Sequence, residues 1–316
     1  MLDITPAGGG PQLLDHVRTQ LRAKRYSART EESYLDWVRR YLQFHGHRNP
    51  CDMGAPEIEA FLTHLVVDRS AAQTTRNQAL SALVFLYRHV YARELPTLRQ
   101  PARAKKTRYV TVTLTREQVR ALLDKAGVEG DGLVLHLLYG AGLRLAEALR
   151  LRVGDLQLPS HEIVVRDGRG QRERVTVLPR SLVPALQAHL ERRRVQYEAD
   201  LATGVADVWM PDVSADPGAA TQWNWQYLFV ADTYSLEPSP DAIRRHHLSE
   251  KCVERSLARA LAAAHIAKSA SSLTLRQCFA SHLLESGCDM ASVQRLLGQD
   301  GGAVAAPSDL RSPLDA

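Results

Sequence analysis

The chain has 316 residues, 45% of them apolar and 24% charged, values ordinary for a folded protein that exclude wholesale disorder. No run of 18 apolar residues occurs, and the opening MLDITPAGGGPQ lacks a basic region followed by an apolar one, so neither a membrane span nor a secretory signal is expected. The four cysteines (Cys51, Cys252, Cys278, Cys288) are scattered without a C-x-x-C pair. Free thiols in a reducing compartment such as the cytoplasm are expected, not a disulfide frame or a zinc site.

The net charge of +5 is mild, but only six of the 40 basic residues are lysines. Arginine suits bidentate phosphate contacts. An arginine excess is equally what a GC-rich genome writes, so composition alone leaves both readings open.

Taken in chain order, residues 1–10 read as a flexible start and residues 11–98 as a four-helix domain. Leu13, Val17 and Leu21 recur at helical spacing, and Thr30 is the expected N-cap of a stretch bearing Tyr34, Val38, Tyr41 and Leu42. Pro56 opens a third helix with Ile58, Phe61, Leu62 and Leu65 apolar, and Thr74 or Thr75 caps a fourth carrying Leu80, Leu83, Val84, Tyr87 and Val90. Residues 99–110 then form a basic linker holding Arg99, Arg103, Lys105, Lys106 and Arg108. Such a stretch buries no apolar face and serves either as a solvated hinge or as a strap along a phosphate backbone.

Residues 111–316 read as a second, mostly helical domain. Thr115 with Gln118 is a capping-box pattern, and an apolar helix over Leu133–Tyr139 leads through Gly140-Ala141-Gly142 into a helix with Leu145 and Leu149. Ile163–Val165 and Val175–Leu178 flank the turn DGRGQRE and predict an antiparallel hairpin. Arg180–Leu201 is helical, about 202–248 is an irregular aromatic insertion, and helices follow over Ser249–Ile266, Thr274–Ser286 and Asp289–Leu297. The tail from 299 to 316 loses periodicity.

The box Gly140-Ala141-Gly142-Leu143-Arg144-Leu145-Ala146-Glu147-Ala148-Leu149 resembles the surroundings of the first active-site arginine in the tyrosine recombinases. A dinucleotide loop fits poorly, because the run before the glycines is leucine-rich and helical. A plain helix–helix turn with an exposed arginine is the simpler rival. Further boxes follow in the family's order: the hairpin up to Leu178-Pro179, Thr274-Leu275-Arg276 with Phe279-Ala280, and Leu296-Leu297-Gly298. Tyr26-Ser27, Arg29-Thr30 and Tyr34 resemble its amino-terminal helices, so the likeness spans about residues 11–299. Trp223, Trp225 and Phe229, then Arg244-Arg245-His246-His247, and the ending Arg311-Ser312-Pro313-Leu314-Asp315-Ala316 resemble the integron integrases.

The resemblance implies a mainly α fold: an N-terminal four-helix core-binding (SAM-like) domain and a mostly helical catalytic domain with a small antiparallel β-hairpin. It implies a partner, recombination-site DNA (folded single-stranded sites in the integron group), and tetramers on that DNA, with no metal, no cofactor and no membrane. In the family's reaction a tyrosine oxygen attacks a phosphodiester and leaves a 3′-phosphotyrosine. Two arginines hold the nonbridging oxygens, where charge grows. A hairpin lysine protonates the departing 5′-oxygen, histidines assist, and an acidic residue supports the first arginine.

Position by position, the resemblance assigns the two arginine roles to Arg144 and Arg276, and support to Glu147. Elsewhere the chain departs. Arg169 stands at the lysine position, Leu273 and Gln277 flank Arg276 where histidines belong, and Gln299 occupies the next histidine position. No tyrosine follows Tyr234, and about ten residues past Gly298, where the nucleophile belongs, the chain reads DGGAVAAPSD, with Ser308 its only hydroxyl. The expectation is an integron-integrase-like recombinase that is cleavage-deficient. The alternatives are a non-catalytic protein occupying recombination sites, or a degenerate gene product.

Expected DNA contacts are Arg99, Arg103, Lys105, Lys106, Trp223, Trp225, Arg244, Arg245, His246 and His247. The two tryptophans are read as sharing one face of an extended segment, for core packing or base stacking. The adjacent histidines point about 100° apart on a helix, which disfavours a shared metal and leaves stacking on bases or a simple surface role.

Overall fold

The computed structural model describes residues 11–24, 26–69, 71–95, 113–166, 173–210, 218–236, 243–299 and 311–315. The flexible start, the basic linker with Arg99, Arg103, Lys105 and Lys106, Arg169, and the window 300–310 lie outside the described residues. The chain divides into two compact units, residues 1–109 and 110–316. Among the described residues no helix is long and apolar enough to cross a membrane.

The first unit holds α1 (Pro11–Ala23), α2 (Ala28–Phe44), α3 (Ala55–Val67) and α4 (Gln73–Phe85), the last running into a π-helical turn over Leu86–Val90. Their apolar stripes meet in one core containing Leu13, Val17, Val38, Tyr41, Ile58, Phe61, Leu83 and Tyr87. Two helix starts differ from expectation. Ser27, not Thr30, caps α2, its hydroxyl accepting the Thr30 N–H at 3.2 Å. Helix α4 starts after Ala72, so Thr74 and Thr75 lie inside the first turn. In both cases a hydroxyl residue sits close to the true start, which local pattern alone does not resolve.

In the second unit, α5 (Arg116–Ala126) has the reciprocal Thr115–Gln118 capping box. Helix α6 (Gly130–Gly140) is buried from Gly132 to Gly140 and forms the centre of the core. It is followed by α7 (Leu145–Arg150) and a three-stranded antiparallel sheet of order β1 (Leu156–Gln157), β2 (Glu162–Arg166), β3 (Glu173–Val177). The hairpin pairs Val164 with Val175. Strand β1 has no counterpart in the sequence reading, because two residues give no alternation to read. Next come α8 (Val183–Ala202), the short pair β4 (Ser235–Leu236) and β5 (Ile243–Arg244), then α9 (Glu250–Ala263), α10 (Ser272–Glu285) and α11 (Met290–Leu297).

Two glycines fix the turn between α6 and α7. Gly142 has φ +63°, and a Cβ there would come within 2.5 Å of the fully buried Phe279 ring. Gly142→Ala is therefore expected to lower the unfolding free energy by about 2–4 kcal/mol, combining left-handed strain with overpacking. Urea unfolding followed by circular dichroism measures it, and a loss below about 1 kcal/mol would contradict the tight fit. At Gly140 a Cβ would strike Leu314 and Pro179, both at 2.5 Å.

That contact belongs to a docked tail. The Ser312 hydroxyl donates to the Gly140 carbonyl at 2.6 Å. The Asp315 carboxylate accepts the backbone N–H groups of Arg180 (2.9 Å) and Ser181 (3.0 Å) and the Ser181 hydroxyl (2.7 Å). Residues 311–315 are thus anchored on the second unit although they lack periodicity.

Candidate active site

The turn at Gly142 delivers Arg144 to the start of α7, where its backbone is extended (φ −73°, ψ 150°) and its side chain is half exposed. Glu147, one turn on, accepts the Arg144 N–H at 2.8 Å and the Arg144 guanidinium at 2.5 Å. The acidic residue at this spacing is therefore a helix cap and an arginine support at once.

Arg276 comes from α10 and is almost fully buried. Its guanidinium donates to the Gly142 carbonyl (2.6 Å) and to the Leu297 carbonyl (2.7 Å), and lies 3.6 Å from Glu147. Burial, with the nearby Arg144 charge adding to it, lowers the Arg276 pKa to about 10, so the group stays charged at neutral pH. Burial pushes the Glu147 carboxyl up, but Arg174 and then Arg144 outweigh it and hold the carboxyl at about 2.

Arg174 was missed from the sequence. It reaches in from β3, forking onto Glu147 at 2.8 and 2.7 Å while its Nε donates to the Leu296 carbonyl at 2.9 Å. The available signal was strand alternation: Arg174 shares a face with Thr176, whose hydroxyl donates to the buried Ala141 carbonyl. Three guanidiniums around one carboxylate leave a net positive site with Arg144 on its open side. Such a site suits a phosphate or the anion that forms as one reacts.

The other substituted positions lie around it. Leu273 is exposed in the first turn of α10, Gln277 is half-buried, and Gln299 is exposed just past Gly298. Gly298 closes α11 at φ +64°.

The insertion residues gather elsewhere, against α8 and Arg152. Trp223 and Trp225 lie in a 3-10 turn, not an extended segment, and do not share a face. Trp223 packs on Tyr197 at 5.2 Å with Arg194 above it, whereas Trp225 faces Arg166 at 5.1 Å. Arg245 is also corrected: it is buried and forked onto Asp200 (both 2.8 Å), donates to the Ala231 and Asp232 carbonyls, and lies over the Tyr234 ring. A guanidinium so fully engaged inside the fold has little left for DNA. Arg244 is half-buried on β5.

The His246 and His247 rings lie 4.1 Å apart, tilted at 58°, and both pack against Tyr227, over whose ring the Arg152 guanidinium sits at 3.7 Å. Burial lowers His247 to about 4, and its Nδ1 sits 2.8 Å from the Leu248 carbonyl, so a neutral ring donating there leaves Nε2 as acceptor. Arg152, Arg193 and Asp200, which anchor the insertion from outside it, had no local signal: each is defined by partners distant in sequence.

Residues 13–97 match the family described as phage integrase, N-terminal SAM-like domain, and residues 112–301 match the phage integrase family. The chain belongs to the phage integrase family. Tyrosine recombinases and integrases are accordingly its relatives. An integrase/recombinase from Escherichia coli is 39% identical over 96% of this chain and 94% of its own, and one from Pseudomonas aeruginosa matches to the same extent. Tyrosine recombinase XerA from Thermococcus kodakarensis is 30% identical over 91% of this chain and 86% of its own. Among solved structures, the Tn1549 transposon integrase in complex with transposon right end DNA shares the fold at TM-score 0.62, with 14% identity over 90% of each chain. The XerH recombinase bound to difH substrate does so at TM-score 0.61, with 14% identity over 92% of this chain and 78% of that one. The chain is thus a member of the tyrosine-recombinase family of site-specific DNA recombinases, mainly helical, with a SAM-like amino-terminal domain.

Proposed function

We propose that this recombinase-family protein binds recombination-site DNA and seats a backbone phosphate against Arg144 and Arg276 without cleaving it. The observation that supports this most directly is the convergence of the two arginines, with Arg174, on Glu147. The tyrosine missing after Tyr234 and the arginine at position 169 argue against strand cleavage. The integron-type segment, with Trp223, Trp225 and Arg244 to His247, supports folded single-stranded sites of the integron kind, where the half-buried His246 ring would meet a protruding base. A tetramer on DNA and action in the bacterial cytoplasm complete the reading.

Binding to a labelled recombination site should weaken steeply with salt, with a log–log slope of several units, and hairpin-folded strands should outcompete plain duplex. Arg144→Ala and Arg276→Ala should each cost about 1–3 kcal/mol of affinity, as charged hydrogen bonds do. Arg192→Ala, at an exposed surface ion pair 3.5 Å from Glu129, should cost far less. Equal losses for all three would overturn the phosphate clamp, and no preference for hairpins would remove the integron part of the reading.

A further inference from the structure

Glu147 sits among three guanidiniums, and their donors are unequally spent. Arg174 is one-tenth exposed and commits its whole fork to the two Glu147 oxygens. Arg144, the exposed partner, gives Glu147 one side-chain contact, and Arg276 stands off at 3.6 Å. At the same time Arg174 and Arg276 satisfy two successive carbonyls, Leu296 and Leu297, at the end of α11, where helical carbonyls have no partner within the helix. Gly298 fits the same device: a Cβ there would lie 2.7 Å from the Arg174 Cδ.

We infer that Arg174 is a positioning residue of this site: it serves as the dedicated counter-ion of Glu147, leaving the half-exposed Arg144 to meet a phosphate with the buried Arg276 charge behind it, and it pins the carboxyl end of α11 beside them. The inference rests on the phosphate-clamp reading above. Without Arg174, the net charge of the site falls by one, and the Glu147 charge it balanced falls on Arg144 and Arg276. The end of α11, from which residues 299 onward depart, loses one of its two anchors. Glu147 is held near 2 largely through Arg174, so in its absence the carboxyl returns toward the ordinary carboxylate range.

The test measures binding of the full chain to a labelled DNA hairpin carrying a recombination site, with circular dichroism confirming the fold of each variant. Arg174→Gln should weaken binding roughly ten-fold or more, the size of one charged contact or larger. Adding Glu147→Gln should restore most of that loss, because it removes the charge that Arg174 no longer balances. The single variant should also regain affinity as pH falls from about 6 toward 4, where Glu147 protonates, whereas the parent shows no such step. Arg174→Lys, which keeps the charge without the fork, should fall between, and it carries the test if the glutamine variant does not fold. A loss that Glu147→Gln does not relieve, with no gain in acid, overturns the counter-ion role and leaves Arg174 as a plain structural or DNA contact. If Arg144→Ala and Arg276→Ala do not weaken binding, it is the underlying clamp that fails.

Discussion

Incubated with a nicked suicide substrate, the chain is expected to leave no denaturant-stable protein–DNA adduct, even at high protein concentration. The family's covalent link needs a tyrosine beyond α11, and none follows Tyr234. Ser308 is the only hydroxyl in the corresponding stretch, and glycines and a proline surround it with no base nearby in sequence. A second loss compounds the first. Arginine at position 169 holds its proton too tightly to be a good donor to the departing 5′-oxygen. General acid catalysis is typically worth about 10²–10⁴-fold, so a tyrosine alone should rescue little. Grafting a family-type tyrosine helix after Gly298 should give a faint adduct, and adding Arg169→Lys and Leu273→His should strengthen it. The graft starts from an ordered point, because Arg174 and Arg276 hold the last carbonyls of α11. An adduct from the unaltered chain would overturn the cleavage-deficient reading, and mapping it would name the nucleophile.

The largest stability effect is expected where α8 holds the insertion. Asp200→Ala removes the carboxylate that pairs with buried Arg245 and accepts the Tyr234 hydroxyl at 2.9 Å. An uncompensated buried guanidinium typically costs about 3–5 kcal/mol, so urea unfolding should show a loss of that order. Asp200→Ala combined with Arg245→Met should recover much of it, because the pair disappears together. A single-variant loss below about 1 kcal/mol would mean that Arg245 finds other partners. The pH dependence has a definite sign. Burial pushes the Asp200 carboxyl up, but Arg245 and Tyr234 outweigh it and hold it below its ordinary value, as Arg174 and Arg144 do for Glu147. Both carboxylates therefore contribute stability that is complete above the ordinary carboxylate range and is lost as pH falls through it, toward about 2 for Glu147.

Much of the fold was legible because its signals are local. The Thr115–Gln118 box, the hairpin with Val164 opposite Val175, and the Asp289 cap of α11 each lie within a few residues. Arg144 and Glu147 were legible through the resemblance, and their spacing of one helical turn is what lets Glu147 cap and support Arg144. Arg276 was legible only through the resemblance. Arg174 and Arg245 carry no mark of their own in the sequence; burial and the carboxylate each pairs with define their roles, and those are set by chain segments far away. The tryptophan pair was misread because a Trp-Asn-Trp spacing fits a strand as well as a 3-10 turn, and packing on Tyr197 and Arg166 decides between them.

The docked tail has a mechanical meaning. Asp315 grips the amides that open the stretch leading into α8, Ser312 grips the carbonyl of Gly140, and Gly142, two residues on, holds Arg276 through its own carbonyl. A pull on the carboxyl end is therefore carried by short, stiff links to the backbone that seats the arginines.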